Sequence, residues 1–257
     1  MRRRAGGADA FSDSAAEYAV TMAPALAPVA AEVVRRAELG PGETVLDIGT
    51  GTGTAAGMAR GEGRRITGLD GAPGMLQIAR RQLPDVELLE ADFMRLPQPD
   101  GSVDVVLAVH ALLFADDRVA ALREWRRVVR PGGRLSLSVP GPGDVVPSTV
   151  LGSVYDSYGI AWGGTDYPHP ADVSRWATDA GWSVSTVEAD PTTGIPLADE
   201  AAYRAWLRVG SRMQATAEWT DARRDELARD LMAATPRDAQ GGYRLPFGTI
   251  YLAAGNP

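Results

Sequence analysis

Val45 to Gly53 reads VLDIGTGTG, an apolar run that ends in a carboxylate and runs into alternating glycines. Glycine has no Cβ and takes positive φ, so such a turn lets backbone come close to a ligand. It also aims the N-terminus of a following helix at that ligand. Gly51-Thr52-Gly53-Thr54-Ala55-Ala56 fits the dinucleotide fingerprint as well, so the glycines alone leave the ligand open. Asp70, ending ITGLD, can accept from both hydroxyls of a ribose, but dinucleotide enzymes carry an acid at a similar distance. Asp47 and Asp92 separate the two readings. A carboxylate at Asp47 repels a pyrophosphate and suits a cationic amino-acid moiety. Asp92, in EADF, can accept from an exocyclic adenine amine while Phe93 packs nearby. Three acids behind three consecutive strands face one crevice, where open α/β sheets bind ligands. The set calls for a ligand with a positive charge, a ribose and an adenine. Taken singly, each acid also has a purely structural reading: Asp47 as a turn cap, Asp70 as a helix N-cap, Asp92 as a turn residue.

The chain has two histidines, no cysteine and no lysine, all 26 basic residues being arginine. Thiol nucleophiles, zinc–thiolate sites, Schiff bases and the P-loop lysine are therefore excluded. His110, in LAVHALLF, follows an apolar strand and is a candidate base or a buried structural histidine. His169, in YPHPAD, is a second candidate or a cap for a helix beginning at Pro170.

The elements that would hold these residues follow from the pattern. The first forty residues read as helical, stopped by Gly40-Pro41-Gly42. Strands are expected at 44–48, 65–69, 86–89, 103–109, 134–139 and 182–188, with a last one near 247–253. Helices are expected at 73–81, after Asp116 or Asp117, at 171–180, and near 199–210 and 220–234. Strands alternating with helices imply βαβ units and a parallel sheet. No second domain boundary is expected. One domain would comprise a helical cap (1–40), a cofactor-binding core (41–140), a substrate-cover insertion (141–180) and C-terminal strands and helices (181–257).

Net charge is −7, which argues against a nucleic-acid partner, since phosphate binding needs a basic face. No apolar run approaches a membrane span. The segment behind MRRR is too polar for a signal-peptide core, which favours the cytoplasm. Six of the 17 aromatic residues fall between Tyr155 and Trp182. Tyr155, Tyr158 and Trp162 are expected to line a pocket for a flat or greasy molecule, with Asp166 a further polar candidate and Trp176 and Trp182 as core.

VLDIGTGTG, ITGLDGAPGML, LLEADFMRLPQPDGSVDVV and EWRRVVRPGGRLSLSV, from Thr44 to Val139, together resemble the class I methyltransferases, specifically the ubiquinone/menaquinone-biosynthesis type. AYRAWLRVG and a final strand after Gly241 resemble that family loosely. The resemblance implies an α/β Rossmann-like fold: a seven-stranded, mostly parallel sheet with helices on both faces and the last strand antiparallel. It implies S-adenosylmethionine as cofactor and no metal. Gly49, Thr50 and Gly51 would line its methionine moiety, with Asp47 near the ammonium group. Asp70 would hold the ribose, Gly71 and Met75 would lie beside the adenine, and Asp92 and Phe93 would meet its polar edge. Tyr18 resembles an N-terminal tyrosine that closes over the cofactor. His110-Ala111-Leu112-Leu113 stands where aminomethylating relatives carry Asn/Asp-Pro-Pro-Tyr/Phe, which disfavours nucleobase or amide methylation.

The expected activity is methyl transfer to oxygen or carbon of a small, largely apolar metabolite of secondary metabolism, by a monomer or homodimer. The alternative keeps the cofactor while catalysing a cyclisation or rearrangement. A nicotinamide oxidoreductase of the Tyr-x-x-x-Lys type is excluded by the missing lysine.

Overall fold

Short β-branched and leucine-rich runs form the strands, the central ones buried on both faces, as a sheet covered by helices requires. They are β1 (Thr44–Ile48), β2 (Arg65–Asp70), β3 (Glu87–Glu90), β4 (Val103–Val109), β5 (Val129–Pro142), β6 (Ser183–Asp190), β7 (Ile195–Leu197), β8 (Tyr243–Leu245) and β9 (Phe247–Gly255). This computed structural model describes residues 8–142, 148–160, 167–210, 215–245 and 247–257. The main sheet has the order β3-β2-β1-β4-β5-β9-β6, and β7 and β8 pair separately and antiparallel. It is mostly parallel, with one antiparallel strand and helices around it. β1 pairs in parallel with β2 on one side and β4 on the other, so the winding direction reverses between β1 and β4. In this class of sheet, the ligand crevice lies at that reversal.

The helices are α1 (Ala8–Asp13), α2 (Ala15–Val20), α3 (Met22–Arg36), α4 (Thr54–Ala59), α5 (Pro73–Gln82), α6 (Arg118–Val128), α7 (Ser148–Ser157), α8 (Pro170–Asp179), α9 (Glu200–Leu207) and α10 (Asp221–Ala234). Asp117 caps α6, its carboxylate accepting from the Ala120 amide at 2.9 Å. None of the described helices is long and apolar enough to cross a membrane.

β5 and the segment after it differ from expectation for local reasons. β5 begins at Val129, directly after α6, not at Arg134. Its register on β4 jumps from Val103↔Val129 to Val105↔Arg134, so Pro131-Gly132-Gly133 is an excursion within the strand. The only asparagine clamps that excursion: Asn256 Nδ2 donates to Val129 O at 2.7 Å, and the Asn256 amide to Gly133 O at 2.8 Å. These bonds set the end of β9 beside the start of β5, the antiparallel direction. α7 was not foreseen, because Gly152 and the prolines around it read as loop.

The described residues separate into two compact units, one from positions 1–26, 141–167 and 190–249, the other from 27–140, 168–189 and 250–257. The second unit carries the main core, in which Leu46, Ile48, Leu69, Val106, Trp125 and Leu137 are buried. Trp182 belongs to that core, as expected, and its indole donates to Leu122 O at 2.9 Å. The proposed cover segment 141–180 is divided between the units. Its last part, α8, inserts Val173 and Ala177 into the main core. In the first unit, Leu151, Tyr155, Tyr203, Trp206, Leu231 and Tyr243 form a separate core.

Candidate active site

The site residues rise from the carboxyl ends of β1, β2 and β4 within the second unit. At the end of β1 the chain turns through Gly49, Gly51 and Gly53, with φ of +69°, +57° and +91°. Only glycine takes such values cheaply. The amides of Gly49 and Thr50 both donate to Leu69 O on β2, at 2.8 and 2.9 Å. At Gly49 space is also limiting, since a Cβ there would lie 2.6 Å from the Cβ of Ala111, just past β4. The β1 turn and the chain after β4 therefore touch at the reversal point of the sheet.

Asp47 lies beneath this turn with 1% of its surface exposed. Its Oδ2 accepts from Thr50 Oγ1 at 2.7 Å and from the Ala56 amide, in the first turn of α4, at 3.0 Å. One carboxylate oxygen thus ties both ends of the glycine turn. Burial pushes the Asp47 carboxyl up to about 6; the Thr50 hydroxyl and Ala56 amide pull it back, and the Asp70 charge adds a further upward push. The turn-cap reading of Asp47 is therefore present in the geometry.

Asp70 ends β2 and faces the same turn. Its Oδ2 accepts from the Gly51 amide at 2.8 Å, and its Oδ1 from the Ala72 amide at 2.8 Å, just ahead of α5. Burial raises its carboxyl above the ordinary range, while the amides of Ala72, Gly51 and Gly71 oppose that shift. These three amides leave part of the carboxylate's four-site acceptor capacity unspent. Met75 is buried in α5 and Gly71 is exposed beside Asp70. The next strand carries on the row, because Ala91 donates to Asp70 O at 3.1 Å. Asp92 follows, exposed, with Oδ1 accepting from the Met94 amide at 2.8 Å, the turn geometry anticipated as its structural alternative. Phe93 sets its ring edge-on to Trp125, with centroids 6.2 Å apart, and its carbonyl accepts from the Trp125 indole.

His110 follows β4 in a left-handed conformation, φ +55° and ψ +11°, rare for a residue with a side chain. Its amide donates to both Ser138 O (3.0 Å) and Ser138 Oγ (3.2 Å) on β5. Part of the residue remains accessible, but its ring Nε2 is enclosed and has no hydrogen-bond partner among the described residues. Burial pushes the imidazole down to about 4, so it is neutral at neutral pH.

The other candidates fall elsewhere. His169 is the N-cap of α8: its Nδ1 accepts from the Ala171 amide at 3.4 Å, and Asp172 accepts from the His169 amide at 3.0 Å. Its ring is used as the capping alternative required. Tyr18 belongs to the first unit and packs edge-on to Phe11. Tyr155, expected on a pocket wall, is 2% exposed within the first unit's core, because the helical spacing of α7 turns it inward with Leu151. Tyr158 donates to Asp230 Oδ2 at 2.6 Å and packs on Trp219. Trp162 and Asp166 lie outside the described residues. Sequence reasoning missed Ala111 and Ser138, whose parts depend on cross-strand neighbours. The Asp47–Thr50 bond had a signal, an acid and a hydroxyl three residues apart across a glycine turn.

A family model described as a methyltransferase domain matches residues 46–137, the segment that carries this turn, both acids and His110. The core of this chain is a class I S-adenosylmethionine-dependent methyltransferase domain. A malonyl-[acyl-carrier protein] O-methyltransferase of Serratia marcescens is 40% identical over 105 residues, 41% of this chain and 41% of that protein. A demethylmenaquinone methyltransferase of Renibacterium salmoninarum is 29% identical over 165 residues, 56% of this chain and 68% of that one. The match thus spans about two-fifths of the Serratia relative's length. Among solved structures, a chain from the complex of the Haloferax volcanii Trm112 methyltransferase activator superposes with a TM-score of 0.61 at 25% identity, covering 100% of this chain and 99% of that one.

In this methyltransferase domain, the buried acid beneath the turn has a consequence for pH. Its folded value of about 6 exceeds the ordinary 3.8, so between these values the folded chain holds a proton the unfolded chain has lost. Stability must then fall as pH rises through that window and level off above it. Asp47→Asn keeps an acceptor for Thr50 and Ala56 but cannot titrate. Urea midpoints measured from pH 4 to 7 are expected to fall more steeply for the wild type than for Asp47→Asn. Equal slopes would contradict this placement of the charge.

Proposed function

We propose that the chain transfers the methyl group of S-adenosylmethionine to an oxygen or carbon of a small, largely apolar metabolite. The observation that carries this reading is Asp70, fixed at the end of β2 by the Gly51 and Ala72 amides with acceptor capacity left over. Together with Gly49, where any Cβ would run into Ala111, it forms a cradle that fits this cofactor. When bound, S-adenosylmethionine supplies an electrophilic methyl group on a sulfonium.

The chain's part is to bind, orient and manage one proton. Asp70 would accept from the ribose hydroxyls. Gly49, Thr50 and Gly51 would border the methionine moiety with backbone, and Asp47 beneath them would put negative charge near its ammonium group. Gly71 and Met75 would border the adenine, and Asp92 and Phe93 its polar edge. Tyr18 is carried over from the family resemblance alone. Methyl transfer is an in-line displacement, so holding the acceptor about 3 Å from the methyl carbon, and aligned, is most of the task.

His110 is the proposed base. At neutral pH its imidazole is unprotonated, and its Nε2 has no other partner among the described residues. A base held near 4 is weak, so His110 would take the acceptor's proton only as attack on the methyl carbon makes that proton acidic. His169, used as a helix cap, has no part in this scheme. On sequence grounds Trp162 and Asp166 stay candidates for substrate contact. The acidic net charge supports a small-molecule substrate over a nucleic acid.

Two measurements test this reading. Calorimetric titration of S-adenosylmethionine into Asp70→Ala is expected to show about 10–100-fold weaker binding than wild type, the loss of charged hydrogen bonds worth about 1.5–3 kcal/mol. Unchanged affinity would remove Asp70 from the cofactor site. His110→Gln is expected to keep cofactor affinity while lowering turnover of a methyl acceptor by about 100-fold or more. Undiminished turnover would exclude His110 as the base. A product whose mass lacks the added methyl group would favour cyclisation or rearrangement on the same cofactor.

A further inference from the structure

The first unit contains a groove of about 530 Å³ lined by Glu200, Arg229, Met232, Ala233, Thr235, Arg237 and Tyr243. That volume is in the range of small-molecule sites. None of these residues belongs to the methyl-transfer machinery described above. Three of them have polar capacity left unspent.

Arg237 is held in place from one side. Its guanidinium stacks 4.4 Å above the Tyr243 ring, and it donates once to Gly241 O and once to Tyr243 Oη, both at 2.8 Å. A guanidinium has five N–H donors, so most of its donors are uncommitted. Tyr243 is 3% exposed, and its hydroxyl accepts from Arg237. The hydroxyl's own hydrogen has no acceptor among the described residues, and a hydroxyl must donate somewhere to satisfy it. Arg229, in the last turns of α10, has no carboxylate within ion-pair distance among the described residues. Glu200, the acid on the wall, is already engaged by Arg204 at 2.8 Å. Met232 and Ala233 add an apolar lining.

We propose that this groove binds an oxyanion carried on a short apolar body, a carboxylate or a phosphate, at a site separate from the cofactor cradle. Arg237 and the Tyr243 hydroxyl receive the oxygens, since a planar guanidinium presents paired donors that suit either group. Arg229 supplies the balancing charge. Met232 and Ala233 meet the apolar part.

The test uses the full chain at constant ionic strength, following the arginine Nε–Hε resonances by NMR. Butyrate is added in one arm and inorganic phosphate in the other. Saturable shifts are expected in at least one arm, stronger with butyrate if the apolar contact contributes. Arg229→Gln, which breaks no ion pair among the described residues, is expected to weaken binding about 5–10-fold, and Tyr243→Phe to weaken it while removing only the hydroxyl. Arg237→Gln should abolish binding, but it also removes a stacked contact, so the other two variants decide. Linear, unsaturated shifts in both arms up to about 50 mM, or saturable binding unchanged in Arg229→Gln and Tyr243→Phe, would overturn the proposal.

Discussion

A carboxylate with 1% of its surface exposed and no cation to pair with among the described residues is costly in a protein interior, since desolvation is offset only by hydrogen bonds. Asp47 is such a group, and the shape of the β1 turn depends on how its charge is held. The Thr50 hydroxyl and the Ala56 amide converge on the same oxygen, which fixes where the turn leaves β1 and where α4 begins. From the neighbouring strand Asp70 takes the Gly51 amide, and Leu69 O takes those of Gly49 and Thr50. Three consecutive residues of the turn are thereby pinned to β2. On the β4 side, Ala111 closes against Gly49 so tightly that no side chain fits between.

This arrangement selects between two ligands that the glycine pattern alone admits. In a dinucleotide site the first turn of the helix after the glycines offers its amides to phosphate. Here Asp47 has taken the Ala56 amide and left negative charge there. An anionic pyrophosphate would meet that charge at close range, whereas a cationic ligand would offset it. The elevated Asp47 carboxyl and the depressed His110 imidazole have the same main cause, burial, which the Thr50 and Ala56 bonds offset only in part at Asp47. Both groups border the point where the sheet's winding reverses.

Much of this was legible in the residues. The alternation of apolar runs and helical stretches placed β1 and β4 correctly, because each is a short β-branched apolar run bounded by turn residues. β3 came out at Glu87–Glu90, one residue later than its apolar stretch suggests. β7 and β8 went unseen: three residues each, one with a central proline, carry no periodicity to read. The β5 excursion was hidden because Pro131-Gly132-Gly133 looks like a helix stop, whereas the clamp from Asn256, 123 or more positions away, holds it within the strand. For the site, residue type and position along a strand indicated Asp47, Asp70 and His110. They did not indicate which way each would spend its hydrogen bonds. His169 shows the limit: its neighbours spell a helix start, and its ring serves that start.

The charge that Asp47 holds beneath the turn favours a cationic nucleoside cofactor over an anionic dinucleotide. Calorimetric titration of the wild-type chain with S-adenosylmethionine, and separately with NADH, tests it most directly. Saturable binding of S-adenosylmethionine and none of NADH is expected. Tight binding of NADH, or no binding of S-adenosylmethionine by a folded sample, would contradict it.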